Sequence, residues 1–207
     1  MPEWFIQGGP VMWPLLIFSF AVSVVTLERL FFWLMEKQRR DDKLVSACLR
    51  QLLEGQVDEI QRLDAAHPDP GVRMIVRGVN ELPQNPASRI ENLAVNELQR
   101  MARGQSLLDT VITMAPMLGI LGTVLGIIES FEVLNQSGVA DPQSVVGGIA
   151  EALITTAAGL CVALLALLPF NIFRSIQSTE IIRLETIGTD FLSAIQSSGL
   201  FDPAPKE

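Results

Sequence analysis

Polar residues inside two apolar stretches are the first candidates for chemistry in this sequence. The stretch TTAAG places Thr155 and Thr156 side by side, Glu151 lies about one helical turn before them, and Thr123 lies in the preceding apolar stretch. A hydroxyl both donates and accepts hydrogen bonds, and a carboxyl group can take up and release a proton. Ionisable residues inside membrane spans are rare and usually mark ion routes. These residues therefore predict a polar path, suited to proton movement, in an apolar setting.

Each of these residues also has a purely structural explanation. A threonine in a membrane helix often bonds a carbonyl of its own preceding turn. Glu151 lies near the outer end of its apolar stretch, where a long side chain can extend to the interface. On a helical wheel Glu151 and Thr155 share one stripe, and Thr156 lies about 100° away. We favour a pore or helix-interface role for Glu151 and keep both threonines as candidates.

The elements that carry these residues have the length of membrane spans. Of the 207 residues, 49% are hydrophobic, and they are clustered. A hydrocarbon core of roughly 30 Å needs about 20 helical residues to cross it. Three segments with few charges meet this length, at residues 10–34, 107–128 and 147–170. Residues 1–9 contain no Lys or Arg, which disfavours a cleaved signal peptide as the explanation of the first segment.

The distribution of positive charge predicts the orientation of the spans. Eleven of the 15 Lys and Arg residues lie in the loop 35–106, and residues 1–9 and 129–146 contain none. By the positive-inside rule, the amino terminus and the loop 129–146 face outward, while the loop 35–106 and the tail 171–207 are cytoplasmic. Thr123 lies roughly 7 Å, and Thr155 and Thr156 roughly 5 Å, to the outer side of mid-membrane. The hydroxyls are thus predicted at similar depth.

The cytoplasmic segments have the pattern of amphipathic helices. An apolar stripe covers residues 41–64, and two proline-rich breaks, at 67–71 and 82–86, enclose a short helix. From residue 87 the helical pattern continues into the second span without a strong breaker, which predicts one helix of roughly 70 Å to residue 134. The third span continues into the tail in the same way. The predicted fold is all-α and polytopic, with the second and third helices extending into the cytoplasm. Because 207 residues offer little to cover these stripes, we expect a homo-oligomer.

Small residues and a few charged or polar residues complete the candidate set. Small residues at helical spacing let helices approach closely in lipid. Those assigned to helix packing and pore shape are Gly119, Gly122, Gly126, Gly159 and Pro116. Those assigned to a water-exposed portal, an interfacial anchor or a contact between subunits are Asp109, Glu28, Arg29 and Asn171.

Several function classes lack support in the sequence. The two cysteines, Cys48 and Cys161, give neither a disulfide framework nor metal-ligand spacing. No nucleophile with a base, metal cluster or phosphate loop is apparent, so we predict no enzyme, no metal and no cofactor. The 11 basic residues of the loop 35–106 are balanced by 11 acidic ones, which disfavours nucleic acid as a partner. A proton relay also needs a carboxylate at mid-membrane, and a partner would have to supply it.

Two motifs in successive spans carry a family resemblance. The stretches APMLGILGTVLGIIESF (115–131) and GGIAEALITTAAGL (147–160), followed by FN (170–171), resemble the MotA/TolQ/ExbB proton channel family, above all its ExbB and TolQ branch. In this resemblance Thr123 and Thr156 match the pore threonines of the second and third spans, and Glu151 matches the glutamate of the IAEAL motif. Many relatives have a proline near the position of Leu165, whereas this chain has Pro169.

The resemblance implies an assembly and a function. It implies a homopentamer in a bacterial inner membrane, whose second and third helices line a central pore. A dimer of a single-span partner of the ExbD or TolR type would stand in that pore and supply the proton-carrying aspartate. An ExbB-like subunit would energise TonB and outer-membrane transport, and a TolQ-like subunit would serve TolA in the Tol-Pal envelope system. A non-conducting membrane scaffold is the alternative from another class.

Overall fold

The computed structural model describes residue 5 and residues 8–80, 86–137 and 142–200, with the side chains of residues 133–137, 142–145 and 151 excepted. Over these residues the regular structure is all-α, as the sequence predicts. The helices are α1 (Met12–Arg39), α2 (Asp42–Leu53), α3 (Val57–Gln61), α4 (Pro70–Asn80), α5 (Pro86–Ala102), α6 (Gln105–Ser137) and α7 (Pro142–Ser197).

Three helices are long and apolar enough to cross a membrane. They are α1, α6 over Gln105–Glu132, and α7 over Val146–Ser197. The predicted segments 107–128 and 147–170 lie within α6 and α7. The 33 residues of α6 and the 56 residues of α7 correspond to about 50 Å and 84 Å, more than a bilayer core requires. Pro169 lies inside α7, which continues through it.

The predicted continuous helix from residue 87 to residue 134 is wrong. The helix α5 ends at Ala102 and α6 begins at Gln105. Between them Gly104 has a φ of 81°, a left-handed conformation that glycine adopts without a steric penalty and that commonly ends helices. A Cβ atom at Gly104 would also lie 3.0 Å from Cγ1 of Val25. The sequence pattern does not reveal this break, because a single glycine is tolerated inside a helix and does not by itself mark a boundary.

The chain divides into two compact units. The first contains Met1–Arg29 and Gly104–Arg174, and therefore most of the three apolar helices. In this unit α6 and α7 approach so closely that a Cβ atom at Gly159 would lie 2.5 Å from the carbonyl oxygen of Ala115 and 3.0 Å from Cα of Gly119. The glycines of both helices thus bring the two backbones into contact.

The second unit contains Leu30–Arg103 and Ser175–Glu207. Here the stripe of α2 and α3 is buried at Val45, Cys48, Leu52 and Ile60, while Leu53 remains exposed. The amphipathic carboxyl-terminal part of α7 packs on α4, since Cβ atoms at Gly71 and Gly78 would lie 2.7 Å from Ile187 Cδ1 and 2.8 Å from Phe191 Cζ.

One inference from the sequence is that other copies of the chain must cover these apolar stripes. The structure corrects this inference. Most stripe residues of the tail, including Leu184, Ile187, Phe191 and Ile195, are buried within the single chain, while Ile176 is 38% exposed. They therefore do not require further copies of the chain to cover them. The sequence pattern could not reveal this, because the two stripes are more than 100 residues apart and only the fold brings them together.

Candidate functional site

The hydroxyls of Thr123 on α6 and Thr156 on α7 meet at one backbone carbonyl. The Thr123 hydroxyl lies 3.1 Å from the carbonyl oxygen of Gly119, four residues before it on the same helix. The Thr156 hydroxyl lies 3.0 Å from this same oxygen. The two hydroxyls also form a hydrogen bond with each other. Thr156 thus bonds across to the neighbouring helix rather than to its own preceding turn.

The number of hydrogens in this cluster limits how it can be bonded. Each hydroxyl has one hydrogen to donate and can accept further hydrogen bonds. In one arrangement Thr123 donates to Thr156, which donates to Gly119. In the other arrangement Thr156 donates to Thr123, which donates to Gly119. In both arrangements the two hydrogens are used inside the cluster. The hydroxyl oxygens can still accept a hydrogen bond from a further group, and a hydroxyl can donate to a further group when it gives up its bond inside the cluster.

The absence of side chains at two glycines makes this meeting possible. A Cβ atom at Gly119 would lie 3.1 Å from Cα and 3.2 Å from the carbonyl oxygen of Thr156. One at Gly126 would lie 3.1 Å from the Cβ atom of Ala152. Contacts below 3.4 Å are tight, so larger residues here would push α6 and α7 apart.

Thr155 has different surroundings from its neighbour Thr156. It is 1% exposed, and its hydroxyl donates to the carbonyl oxygen of Gly8 at 2.9 Å. Its side chain also packs against Gly122, where an added Cβ atom would overlap the Thr155 side chain. Thr155 therefore joins α7 to the amino-terminal segment and to α6 within the subunit, whereas Thr156 is only half-buried.

Glu151 is a residue of α7, one turn before Thr155, and its side chain lies outside the described residues. On the facing helix α6, Ser130 is buried, and its hydroxyl donates to the Gly126 carbonyl oxygen at 2.7 Å. A Cβ atom at Gly148 would overlap the Ser130 hydroxyl. Ser130 lies seven residues after Thr123, so a helical wheel places both residues on the same face of α6.

The remaining candidates are not brought into the threonine cluster. Asp109 and Asn171 are exposed, and Pro116 is half-buried inside α6. Arg29 is buried and forms a 2.7 Å ion pair with its neighbour Glu28, whose side chain is 55% exposed. This pair lies within one subunit. Over the described residues, no group of three or more His, Cys, Asp or Glu residues is suited to hold a metal ion.

A polar joint in the second unit was missed by the sequence analysis. Asp69 is fully buried and accepts hydrogen bonds from the backbone N–H groups of Val72 at 3.0 Å and Asp41 at 2.8 Å. Arg183 of α7 donates to the same carboxylate at 2.8 Å. The available signal was the order Asp69-Pro70, since Asp is a preferred helix N-cap and Pro is a preferred first helical residue.

Comparisons with known proteins agree on one family. The family model described as the MotA/TolQ/ExbB proton channel family matches residues 69–186. The ExbB-like 1 biopolymer transport protein of Synechocystis sp. is 35% identical over 192 residues, covering 90% of this chain and 75% of the relative. The ExbB-like 3 protein of the same organism is 34% identical over 176 residues, covering 83% of each. The Tol-Pal system protein TolQ of Haemophilus influenzae is 37% identical over 114 residues, covering 55% and 46%.

Proposed function

Because the chain belongs to the MotA/TolQ/ExbB proton channel family, we propose that it is an ExbB-like subunit of a motor driven by the proton motive force. In this proposal it resides in a bacterial inner membrane with its amino terminus in the periplasm and its tail in the cytoplasm. Five copies surround a pore lined by α6 and α7. A dimer of an ExbD-like single-span protein stands in this pore, and the motor energises TonB-dependent outer-membrane transport.

The observation that carries this proposal is the hydroxyl pair of Thr123 and Thr156 on the carbonyl of Gly119. A buried carboxyl group alternates between an acceptor-only carboxylate and a neutral acid that donates a hydrogen bond. A hydroxyl of the pair can accept a hydrogen bond from the neutral acid, or give up its bond inside the cluster and donate to the carboxylate, so the pair can serve both forms of a partner aspartate at the same place. Such a group lowers the cost of changing protonation state in a medium that disfavours charge.

The energy for movement comes from the transmembrane field. One elementary charge crossing about 100 mV makes roughly 2.3 kcal/mol available. Protonation removes the charge of the partner aspartate and so its preference for a hydrated position. The partner helix can then turn within the ring to the next subunit, where the aspartate releases its proton. Glu151, about one turn further toward the periplasm, is proposed to line the proton entry to this site.

The test is proton uptake into liposomes containing this protein and its single-span partner. We expect Thr156→Val to abolish uptake, because valine keeps the shape and removes the hydroxyl, and Thr156→Ser to retain it. Thr186→Val is the matched control, since the Thr186 hydroxyl only bonds the Ile182 carbonyl of its own helix at 2.8 Å. Changing the partner aspartate to asparagine should also abolish uptake.

Equal behaviour of wild type, Thr156→Val and the partner's aspartate-to-asparagine variant, with assembly intact and no uptake above that of empty liposomes, would contradict the proton motor. The threonines would then be packing residues, and the non-conducting scaffold would be favoured. Loss of uptake in Thr156→Val together with Thr186→Val would point to general damage rather than to the hydroxyl pair.

A TolQ-like role is the second candidate, because a relative named TolQ matches this chain at 37% identity. The two roles share the same proposed proton site and differ in the protein that the motor drives, which is of the TonB type in one case and of the TolA type in the other. Affinity purification from the native membrane separates them. Recovery of a TonB-type protein with the complex supports the ExbB-like role, and recovery of a TolA-type protein supports the TolQ-like role.

A further inference from the structure

We propose that a cavity in the second unit binds the phosphate group of an anionic phospholipid. The cavity has a volume of about 520 Å³ and is lined by Arg39, Arg73, Arg77 and Arg100, with Glu97, Ala66 and Pro68. Among these described residues four are arginines and one is a glutamate. A volume of this size is typical of ligand pockets, which range over about 300–1,000 Å³.

Two of the lining residues, Arg73 and Glu97, hold each other in fixed positions. The guanidinium of Arg73 donates to both carboxylate oxygens of Glu97, at 2.6 Å and 2.5 Å. It also donates to the carbonyl oxygen of His67 at 2.6 Å. Arg73 and Glu97 are both buried. The charge of Glu97 is thus committed to Arg73, and Arg100 approaches the same carboxylate only at 3.9 Å.

The other arginines give the cavity an excess of positive charge. Arg77 is exposed and donates to the carbonyl oxygen of Ala65 at 3.0 Å. Arg39 is also exposed, and neither Arg39 nor Arg77 forms an ion pair with a residue that the structure describes. Glu36 interacts electrostatically with Arg100, Arg73 and Arg39, and it brings one negative charge to these three arginines. Guanidinium groups bind phosphate oxygens in a bidentate manner, so this lining fits a phosphate.

The depth of the cavity favours a lipid as the source of that phosphate. Arg39 ends α1 four residues beyond the apolar run FFWLM (31–35), which is about 6 Å along the helix. The headgroup region extends roughly 5–8 Å beyond each side of the hydrocarbon core. The guanidinium of Arg100 lies 5.9 Å from the ring centroid of Phe32, inside the apolar run. Arg39 and Arg100, which line two sides of the cavity, therefore lie at the depth of the lipid phosphate groups.

The predicted orientation places this site on the cytoplasmic side, where anionic lipids attract basic residues next to membrane spans. The inference depends on α1 entering the bilayer and does not depend on proton conduction. It assigns to the arginines of the loop a role in fixing the second unit to the membrane surface.

The experiment is native mass spectrometry of the delipidated full chain with added phosphatidylglycerol or phosphatidylcholine. We expect wild type to retain phosphatidylglycerol in preference to phosphatidylcholine. Arg39→Gln combined with Arg77→Gln should weaken this retention about 30-fold, since each basic residue near an anionic surface contributes roughly fivefold. Arg50→Gln combined with Arg62→Gln is the matched control, because both residues are exposed in the same unit and neither lines the cavity.

Retention of phosphatidylglycerol by the Arg39/Arg77 double variant at the wild-type level would overturn the proposal, and so would equal loss in both double variants. A parallel titration uses inorganic phosphate instead of lipid. If phosphate displaces no phosphatidylglycerol at millimolar concentration, the lipid assignment is supported. If phosphate alone protects the chain from thermal unfolding as well as phosphatidylglycerol does, the site takes a soluble anion and the lipid assignment fails. Circular dichroism of each variant confirms that the helices are retained.

Discussion

At the scale of single residues, the hydroxyl pair depends on the lack of side chains at neighbouring glycines. Thr123 and Thr156 can share the carbonyl of Gly119 only because Gly119 and Gly159 allow α6 and α7 to touch. The hydroxyls and the glycines therefore form one structural arrangement. A change at either glycine should damage the threonine contact without altering the threonines themselves.

Gly159→Ala should separate the two helices. The added Cβ atom would lie 2.5 Å from the backbone oxygen of Ala115, and a backbone atom cannot rotate away as a flexible side chain can. Overpacking of this kind costs about 1–3 kcal/mol. We expect a lower thermal unfolding midpoint in detergent and reduced proton uptake with the partner present.

Gly147→Ala is the control on the same helix, because nothing lies within 4 Å of a Cβ atom built at Gly147. It should leave both the unfolding midpoint and the uptake near the wild-type values. Unchanged stability and uptake in Gly159→Ala would show that the close approach of α6 and α7 is not needed.

At the scale of elements, Asp69 holds three segments of the second unit together. Its carboxylate accepts hydrogen bonds from the N–H of Val72 at the start of α4, from the N–H of Asp41 before α2, and from the guanidinium of Arg183 on α7. Burial of the Asp69 carboxyl by itself raises its pKa. The backbone donors and the charge of Arg183 outweigh this, so the pKa of Asp69 is lowered.

This lowered pKa predicts a pH dependence of stability. A carboxyl with a depressed pKa in the folded state stabilises the fold above its unfolded value of about 3.9, and this contribution is lost as pH falls through the folded pKa. Asp69→Asn should therefore lower the unfolding midpoint at pH 7, and the gap from wild type should close below about pH 4. Thermal unfolding followed by circular dichroism between pH 7 and pH 3 measures this.

Asp58→Asn removes a carboxylate that is exposed in α3 and serves as the control for the loss of one charge. A gap between Asp69→Asn and wild type that stays constant down to pH 3 would contradict the linkage to the Asp69 carboxyl.

Most helices could be predicted from hydrophobic periodicity, but two breaks at glycines could not. Gly55, with a φ of 74°, lies between α2 and α3 inside the stripe predicted over 41–64, and Gly104 lies between α5 and α6. The stripe of α2 and α3 and the short helix α4 follow directly from apolar spacing and proline positions. The break at Gly104 escaped because glycine is compatible both with a helix and with the left-handed residue that ends one. Gly104 has a φ of 81°, and the close approach of Val25 leaves little room for a side chain at this position.

At the scale of the whole molecule, the three apolar helices keep large hydrophobic side chains on their surfaces. On α6 and α7 these include Met117, Ile120, Phe131, Leu153, Leu164 and Leu168, all more than half exposed. Lipid and further copies of the chain are the two environments that cover such surfaces in a membrane. The proposed pentamer assigns part of this surface to contacts between subunits.

We expect native mass spectrometry of the protein in mild detergent to give a mass of five chains of 22.7 kDa each. The mass should persist on dilution, because large apolar interfaces between helices dissociate slowly. A stable single chain or dimer after mild extraction would contradict the pentamer. The proposed pore would then lack the ring of α6 and α7 helices that surrounds it.

The sequence by itself determined the helical class, the three apolar segments, the family motifs and the threonines within them, because these depend on local periodicity and residue type. The tertiary structure decided which hydroxyl bonds which group. Thr155 and Thr156 are neighbours in sequence, yet the first bonds Gly8 and the second joins Thr123 on Gly119. The tertiary structure also decided that the apolar stripes of the loop and of the tail pack against each other, and that arginines from α1, α4 and α5 line one cavity. Such pairings join residues far apart in the chain, and only packing in three dimensions fixes them.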